Sequence, residues 1–235
     1  MAGIKPQEKS NKKWSHKLAY AVGLLASDGC LSKDGRHIDL TSKDTEQLEN
    51  FMNCLEISNK IGQKSAGHKK GLYGRVQFGD VAFYKFLLSV GLTPAKSKTL
   101  GALTIPKKYF FDFLRGSFDG DGSFYSYYDP RWRSSFMFYS VFVSASPAHI
   151  LWIRAELEKR LGVIGHISED GRRRTKQLRY AKEESWKILR NMYYSRDVIC
   201  LSRKRQKIEK ALSEIGRKLP LGKNAQVEKL VNSLP

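Results

Sequence analysis

Cysteine is scarce and odd in number, with Cys30, Cys54 and Cys200 the only three in 235 residues. They lie far apart and form no Cys-x-x-Cys pair, which excludes a disulfide scaffold of the secreted type. The five histidines (His16, His37, His68, His149, His166) add no zinc-finger spacing. Long apolar runs are missing too, none reaching the roughly 18 residues that span a bilayer. Residues 1–10 contain no apolar stretch of the kind a secretory signal needs. These absences predict an intracellular protein of cytoplasm, nucleoid or organelle matrix, neither secreted nor membrane-bound. Acid is also in short supply: 23 Asp and Glu face 42 Lys and Arg, a formal charge of +19.

Hydrophobic residues make up 41% of the chain, enough for a packed core rather than wholesale disorder. The positive excess is spread along it, +7 over residues 1–100 and +12 over 101–235, unlike an otherwise neutral enzyme with one basic tail. Self-repulsion of this size is relieved by an anionic partner. No basic segment adjoins a clear amphipathic anchor, so nucleic acid is favoured over a membrane surface.

A duplication gives the chain its organisation. Residues 18–29 read Leu-Ala-Tyr-Ala-Val-Gly-Leu-Leu-Ala-Ser-Asp-Gly, and residues 111–122 read Phe-Asp-Phe-Leu-Arg-Gly-Ser-Phe-Asp-Gly-Asp-Gly. At a constant offset of 93, Gly23 matches Gly116, Asp28 matches Asp121 and Gly29 matches Gly122. Two strands are expected after each copy, over 30–42 and 123–144. Helix starts follow at Asp44 and Ser146, both good N-cap residues, with Pro147 suited to a first turn. Further strands at 72–78 and 177–180 lead into helices over 81–90 and 183–194, with extra strands near 61–68 and 164–169. The expected organisation is a basic segment at 1–15, a first half at 16–100, a linker at 101–106, a second half at 107–216 and a tail or cap at 217–235. A terminal helix over 203–216 is expected to touch backbone phosphates with its basic face.

Both repeat helices are apolar on nearly every side, as buried helices are. Gly23 with Ser27, and Gly116 with Gly120, place small residues four apart on one face, where two backbones can approach. Asp28 and Asp121 fall at the C-terminal ends of these helices, against the negative end of each dipole. Parallel packing of the helices would bring the two acids together. Paired carboxylates without a neighbouring cation make sense around divalent metal ions.

Residues 21–29 and 114–122 resemble the two LAGLIDADG motifs of monomeric homing endonucleases, the second more closely. The first departs in having Ala26 where an acid is frequent and Ser27 beside the final acid. The resemblance covers about residues 16–212 and includes the linker-like stretch 91–99. It implies an α+β fold of two αββαββα-type halves related by a pseudo-twofold axis. Two antiparallel sheets would form a saddle on duplex DNA, with the motif helices packed at the interface. It implies a monomer that makes a Mg2+-dependent double-strand break in a long asymmetric target, leaving short 3′ overhangs. Asp28 and Asp121 are then the metal-binding acids, and the carbonyls of Ser27 and Gly120 are additional ligands for two or three ions. Mn2+ or Ca2+ would substitute in the same place. Lys43 and Lys182 are candidates for the basic groups that order the attacking water.

Alternation along the strands assigns target contacts to Cys30, Ser32, His37, Asp39, Thr41, Ser123 and Tyr125. Arg36, Arg75, Gln77, Tyr127, Arg131, Arg133 and Arg179 join them. The basic loop with Arg172, Arg173, Arg174 and Lys176 is expected to reach outer DNA or its phosphates. A non-cleaving binder on the same scaffold, an intron RNA maturase or a DNA-binding regulator, is the alternative. It would not need two acids facing phosphate. If about 10 phosphates are neutralised, log affinity for DNA should fall with log salt at a slope near −9. A titration giving a slope near zero would show that the excess charge does not face the nucleic acid.

Overall fold

A computed structural model describes residues 12–66, 69–171 and 175–222. The first half comprises α1 (His16–Ser27), β1 (Gly29–Leu31), β2 (His37–Ser42), α2 (Thr45–Leu55), β3 (Gly62–Ala66), β4 (Lys69–Gly79) and α3 (Val81–Val90). The second repeats that order with α4 (Phe110–Gly120), β5 (Ser123–Asp129), β6 (Trp132–Ser144), α5 (Pro147–Leu161), β7 (His166–Asp170), β8 (Thr175–Ala181) and α6 (Lys182–Met192). Helix α7 (Ser202–Ser213) follows. Each half holds one antiparallel four-stranded sheet, ordered β1-β2-β4-β3 and β5-β6-β8-β7. The expected α+β architecture of two repeated halves is therefore present.

Helices α1 and α4 lie at the centre. Every residue of α1 from Leu18 to Ala26 is buried, which explains why its sequence shows no polar face. A Cβ added to Gly23 would collide with the Phe113 carbonyl oxygen and come within 2.7 Å of the Ser117 nitrogen. One added to Gly116 would collide with the Tyr20 carbonyl oxygen and lie 3.1 Å from the Gly23 Cα. Further along, a Cβ on Gly120 would overlap the Ser27 hydroxyl. Contacts advance along both helices in the same sense, so the helices are parallel and end side by side.

Polar groups on α4 reinforce the join. The fully buried Asp119 accepts hydrogen bonds from the Tyr20 hydroxyl of α1 and from the backbone N–H of Leu201, both at 2.8 Å. Arg115 is buried beside Asp112, at 2.7 Å, and donates to the Ile199 and Met192 carbonyls. A buried guanidinium is tolerated because its donors are matched in this way.

The two anticipated N-cap side chains are used differently. Asp44 and Ser146 do precede α2 and α5, yet neither side chain caps its helix. The Asp44 carboxylate receives hydrogen bonds from Arg203 of α7, and the Ser146 hydroxyl donates to the Leu100 carbonyl. Both caps are thus diverted into ties to the other half or to the linker. Glu46 and Asn50 of α2 add bonds to Ser202 and Cys200.

Alanine in place of Gly23 or Gly116 should lower stability by about 1–3 kcal/mol through overpacking. That loss would appear despite the helix-propensity gain of roughly 1 kcal/mol that Gly to Ala normally brings. Gly101→Ala, where nothing lies within 4 Å of the added Cβ, is the control. Denaturant midpoints of the two helix variants equal to or above the control's would refute the backbone contact.

Candidate functional site

Asp28 and Asp121 are the residues on which α1 and α4 terminate. Each keeps a helical backbone and its N–H still closes the last turn, onto Leu24 at 2.9 Å and Ser117 at 3.2 Å. Because the helices are parallel and in register, the two carboxylates share one place. A Cβ on Gly120 would lie only 3.0 Å from Asp28 Oδ2, so the first acid abuts the end of the second helix.

Burial raises the pKa of both acids. For Asp28 the shift is opposed first by a hydrogen bond from Gln47 and then by the charges of Lys204 and Lys96. Asp121 is pushed up to about 6, by burial of one side of the carboxyl and then by the negative charge of Asp28. Its other side opens to solvent in a cleft of about 430 Å³ that also contains Ser27, Ser123, Val143, Ser144 and Gln177.

Two buried lysines lie beneath the acids. Lys204 of α7 donates to the carbonyls of Asp119 at 2.9 Å and Gly122 at 2.7 Å, and to that of Phe118, satisfying the orphan end of α4. Lys96, after α3, donates at 2.6 Å to the Gly29 carbonyl at the end of α1. Ala95, with a left-handed backbone at φ 55°, makes the bend just before it. Burial depresses both ammonium groups, Lys204 to about 8. Each still feels the charge of both aspartates.

Gln47 is the third unforeseen member. It donates at 2.8 Å to Asp28 Oδ2, while its own carbonyl oxygen accepts from the Ser42 hydroxyl at 3.0 Å. The equivalent residue in the second half is His149, whose ring instead meets the Gly101 carbonyl. The sequence does contain a signal for two of the three. Gln47 precedes Leu48 and Phe51 on the buried face of α2, and Lys204 shares a helical stripe with Ile208, Ala211 and Leu212. Lys96 lies in an irregular stretch without periodicity and gives no such sign.

The two lysines suggested by sequence lie on the strand–helix connections of their halves. Lys43 is exposed and sits over the Tyr73 ring, 5.3 Å from its centroid. Lys182 is the first residue of α6. The positions whose charge reaches the acid pair belong to Lys96 and Lys204.

On the first sheet, register places Cys30, Asp39 and Gln77 on one face, together with Thr41 and Arg75. Asp39 is almost buried and ion-paired to Arg75 at 2.8 Å. His37 faces Asp34 across the turn, Arg36 is exposed, and Ser32 closes the hairpin onto the His37 carbonyl. On the second sheet, Ser123 and Arg179 share a face across Val141, and Tyr125 and Tyr127 project there too. Lys176 points to the opposite face, paired with Glu169. Arg131 is held by Asp129 at the β5–β6 hairpin, and Arg133 lies within β6. Arg172, Arg173 and Arg174 lie outside the described residues.

No protein-family model and no curated protein matches the chain. Solved structures do, and they define the class: the architecture is the LAGLIDADG fold. The full-length DUF199/WhiA protein of Thermatoga maritima superposes with a TM-score of 0.56 at 15% identity, over 94% of this chain and 67% of that one. The homing endonuclease I-WcaI bound to its DNA recognition sequence gives 0.54 at 13% identity, over 88% and 95% of the two chains. Meganuclease I-SmaMI bound to uncleavable DNA gives 0.54 at 12% identity, over 93% and 97%.

Because Asp121 binds its proton more tightly in the fold than in the unfolded chain, it favours folding below about pH 4. That advantage is lost as pH rises through about 6. Asp121→Asn should therefore gain thermal stability relative to wild type between pH 4 and pH 8 in metal-free buffer. A difference in melting temperature that does not move with pH would show that the carboxyl is not strained in this way.

Proposed function

We propose that the chain is a site-specific DNA endonuclease that breaks both strands of a long duplex with the help of divalent metal ions. The fold is shared by homing endonucleases and by DUF199/WhiA, so this reading rests on the acids rather than on the fold. The observation that carries it is the convergence of Asp28, half-buried, and Asp121, open to solvent, at the paired ends of two parallel helices. Such an arrangement is unfavourable for a protein that only adheres to phosphate.

The donor set suits a hard cation. It consists of two carboxylates and nearby backbone carbonyls, with no cluster of three His, Cys, Asp or Glu side chains among the described residues. Mg2+ binds in this fashion, through one or two carboxylates, retained waters and substrate phosphate oxygens. Structures of I-DmoI with its target DNA were obtained in the presence of manganese or magnesium. Asp28, Asp121 and the carbonyls of Ser27 and Gly120 would hold the ions. When bound, such ions supply an activated water and neutralise charge on the phosphate.

The chain's own residues do the rest. Gln47, braced by Ser42, fixes the Asp28 carboxylate. Lys96 and Lys204, anchored on helix-end carbonyls, oppose the rise in the pKa of both acids and add positive potential where phosphate charge develops. The depressed pKa of Lys204 also lets it exchange a proton near neutral pH. The sheet faces are proposed to seat the duplex, and the overall charge to draw it in. Host intron RNA is a second possible polyanion of the same charge class.

With Mg2+ and a randomised duplex library, wild type should cut both strands of a selected sequence. Asp28→Asn and Asp121→Asn should each slow cutting at least about a hundredfold, equivalent to roughly 2.7 kcal/mol, while DNA binding persists. A wild type that binds a defined duplex but leaves it intact with Mg2+ and Mn2+ would overturn the reading. A splicing assay on intron RNA would then test the maturase alternative.

A further inference from the structure

The two sheets correspond by register but differ in chemistry. Cys30 pairs with Asp39, and Asp39 with Gln77; Ser123 pairs with Val141, and Val141 with Arg179. Cys30 and Ser123 stand at the same place in the two repeats, so Asp39 is equivalent to Val141. Following the ladders, Thr41 corresponds to Val143, His37 to Tyr139 and Ser32 to Tyr125. Four polar positions on the face turned away from the helices have become apolar or aromatic. The third strand keeps one arginine and one glutamine in each half, in exchanged order: Arg75 and Gln77 against Gln177 and Arg179.

The altered face is ordered. The rings of Tyr125, Tyr127 and Tyr139 lie nearly parallel, at interplanar angles of 10–21° and centroid distances of 5.2–6.4 Å. Arg179 sits 6.0 Å from the Tyr125 centroid. Met137 pairs with Tyr127 in the ladder. The other face of the same strands is the core, with Phe124, Phe138, Phe142, Leu178 and Tyr180 buried. Val143, Ser123 and Gln177 also line the cleft at Asp121. The aromatic face is therefore continuous with the acid pair, in the more basic half of the chain, and its occupant is the DNA that the acids are proposed to cut.

We infer that the two half-sites of the target are read by different chemistry. The β1–β2–β4 face uses hydrogen bonds to base edges, and the Tyr–Val face of β5 and β6 uses apolar contact with the 5-methyl groups of thymine. This inference rests on the DNA-binding reading above. In the major groove the thymine methyl is the apolar feature of the base-pair code, and the stacked rings of Tyr125, Tyr127 and Tyr139 offer an apolar surface to it. Val143, half-buried at the edge of the cleft, offers no hydrogen bond, and Val141 is buried beneath this face.

The test is to select a bound duplex from a randomised library and replace each thymine by deoxyuridine, one half-site at a time, in metal-free buffer. Loss of one methyl in the half-site on β5–β6 should weaken binding about fourfold, equivalent to about 0.8 kcal/mol. In the other half-site the change should stay below about 1.5-fold, since hydrogen bonding there is untouched. Val143→Thr, nearly isosteric and checked for an unchanged melting temperature, should reduce the uridine effect at one position. Thr41→Ser should leave it alone. Equal uridine sensitivity in both half-sites, or a selected sequence with no thymine under the aromatic face, overturns the inference while leaving DNA binding intact. Failure to select any duplex removes the DNA-binding reading and the inference together.

Discussion

The structure depends on one contact, the approach of the α1 and α4 backbones at Gly23 and Gly116. Any side chain at either position would meet main-chain atoms of the facing helix, which cannot yield as a flexible side chain does. Dispersion between closely apposed backbones falls steeply with a gap of even 0.5–1 Å, so the contact is nearly all-or-none. Parallel helices held this closely must end together. The ends carry Asp28 and Asp121, so a packing requirement fixes the separation of two charges. Asp119, Tyr20 and Arg115 stiffen the same junction with hydrogen bonds that no apolar pair could direct.

Electrostatics at the helix ends runs against ordinary stability rules. Two carboxylates occupy the negative ends of two helix dipoles, are partly desolvated, and repel one another. Lys96 and Lys204 relieve this without forming direct ion pairs with the acids. Each ammonium is bound to the backbone carbonyls of the helix end, so it neutralises the dipole and acts on the carboxylates from behind. The acid oxygens consequently stay available on the open side. A lysine that reached over the top would satisfy the acids and close the site. Placement from behind therefore separates a structural charge cluster, which seeks internal neutrality, from one left short of positive charge toward solvent. Both lysines come from the chain that follows the last strand-flanking helix of a half, so the turn after α3 and helix α7 play equivalent parts.

The sequence disclosed whatever repeated or alternated. Matching glycines and aspartates at a fixed offset gave the helix contact and the acid pair, and α3 runs over the anticipated residues 81–90. Polar residues inside apolar stripes were harder to interpret. Gln47 and Lys204 fall on the apolar stripes of their helices, but periodicity identifies a buried face and not what a polar group on it will meet. Lys96 depends on the turn at Ala95, a left-handed residue that is not glycine and leaves no mark in the composition. Asp44 and Ser146 show the converse: local rules placed the helix starts, but ties between distant segments claimed the side chains.

Duplication explains why the halves share a backbone and why they need not share chemistry. Ladder register and the close helix contact constrain main chain and core, so Phe124, Leu178 and the glycines are bound by packing. Side chains on the opposite sheet face lie outside the core cluster and are freer to diverge, even where, as at Asp39 and Val141, neighbours on that face cover them. The divergence here is directional: Asp39, Thr41, His37 and Ser32 have four apolar or aromatic counterparts, and Gln47 has a histidine turned toward the linker. Asp28 is thereby braced by a hydrogen-bonded chain from Ser42, whereas Asp121 opens into a cleft beside Val143 with no equivalent of the Gln47 bond. Two chemically unequal half-surfaces meeting at two unequally supported acids suit an asymmetric ligand, because a perfectly palindromic one would waste the difference. On the function proposed, the excess of positive charge would attract the polyanion, and the inequality of the halves would give that attraction a direction along the strand.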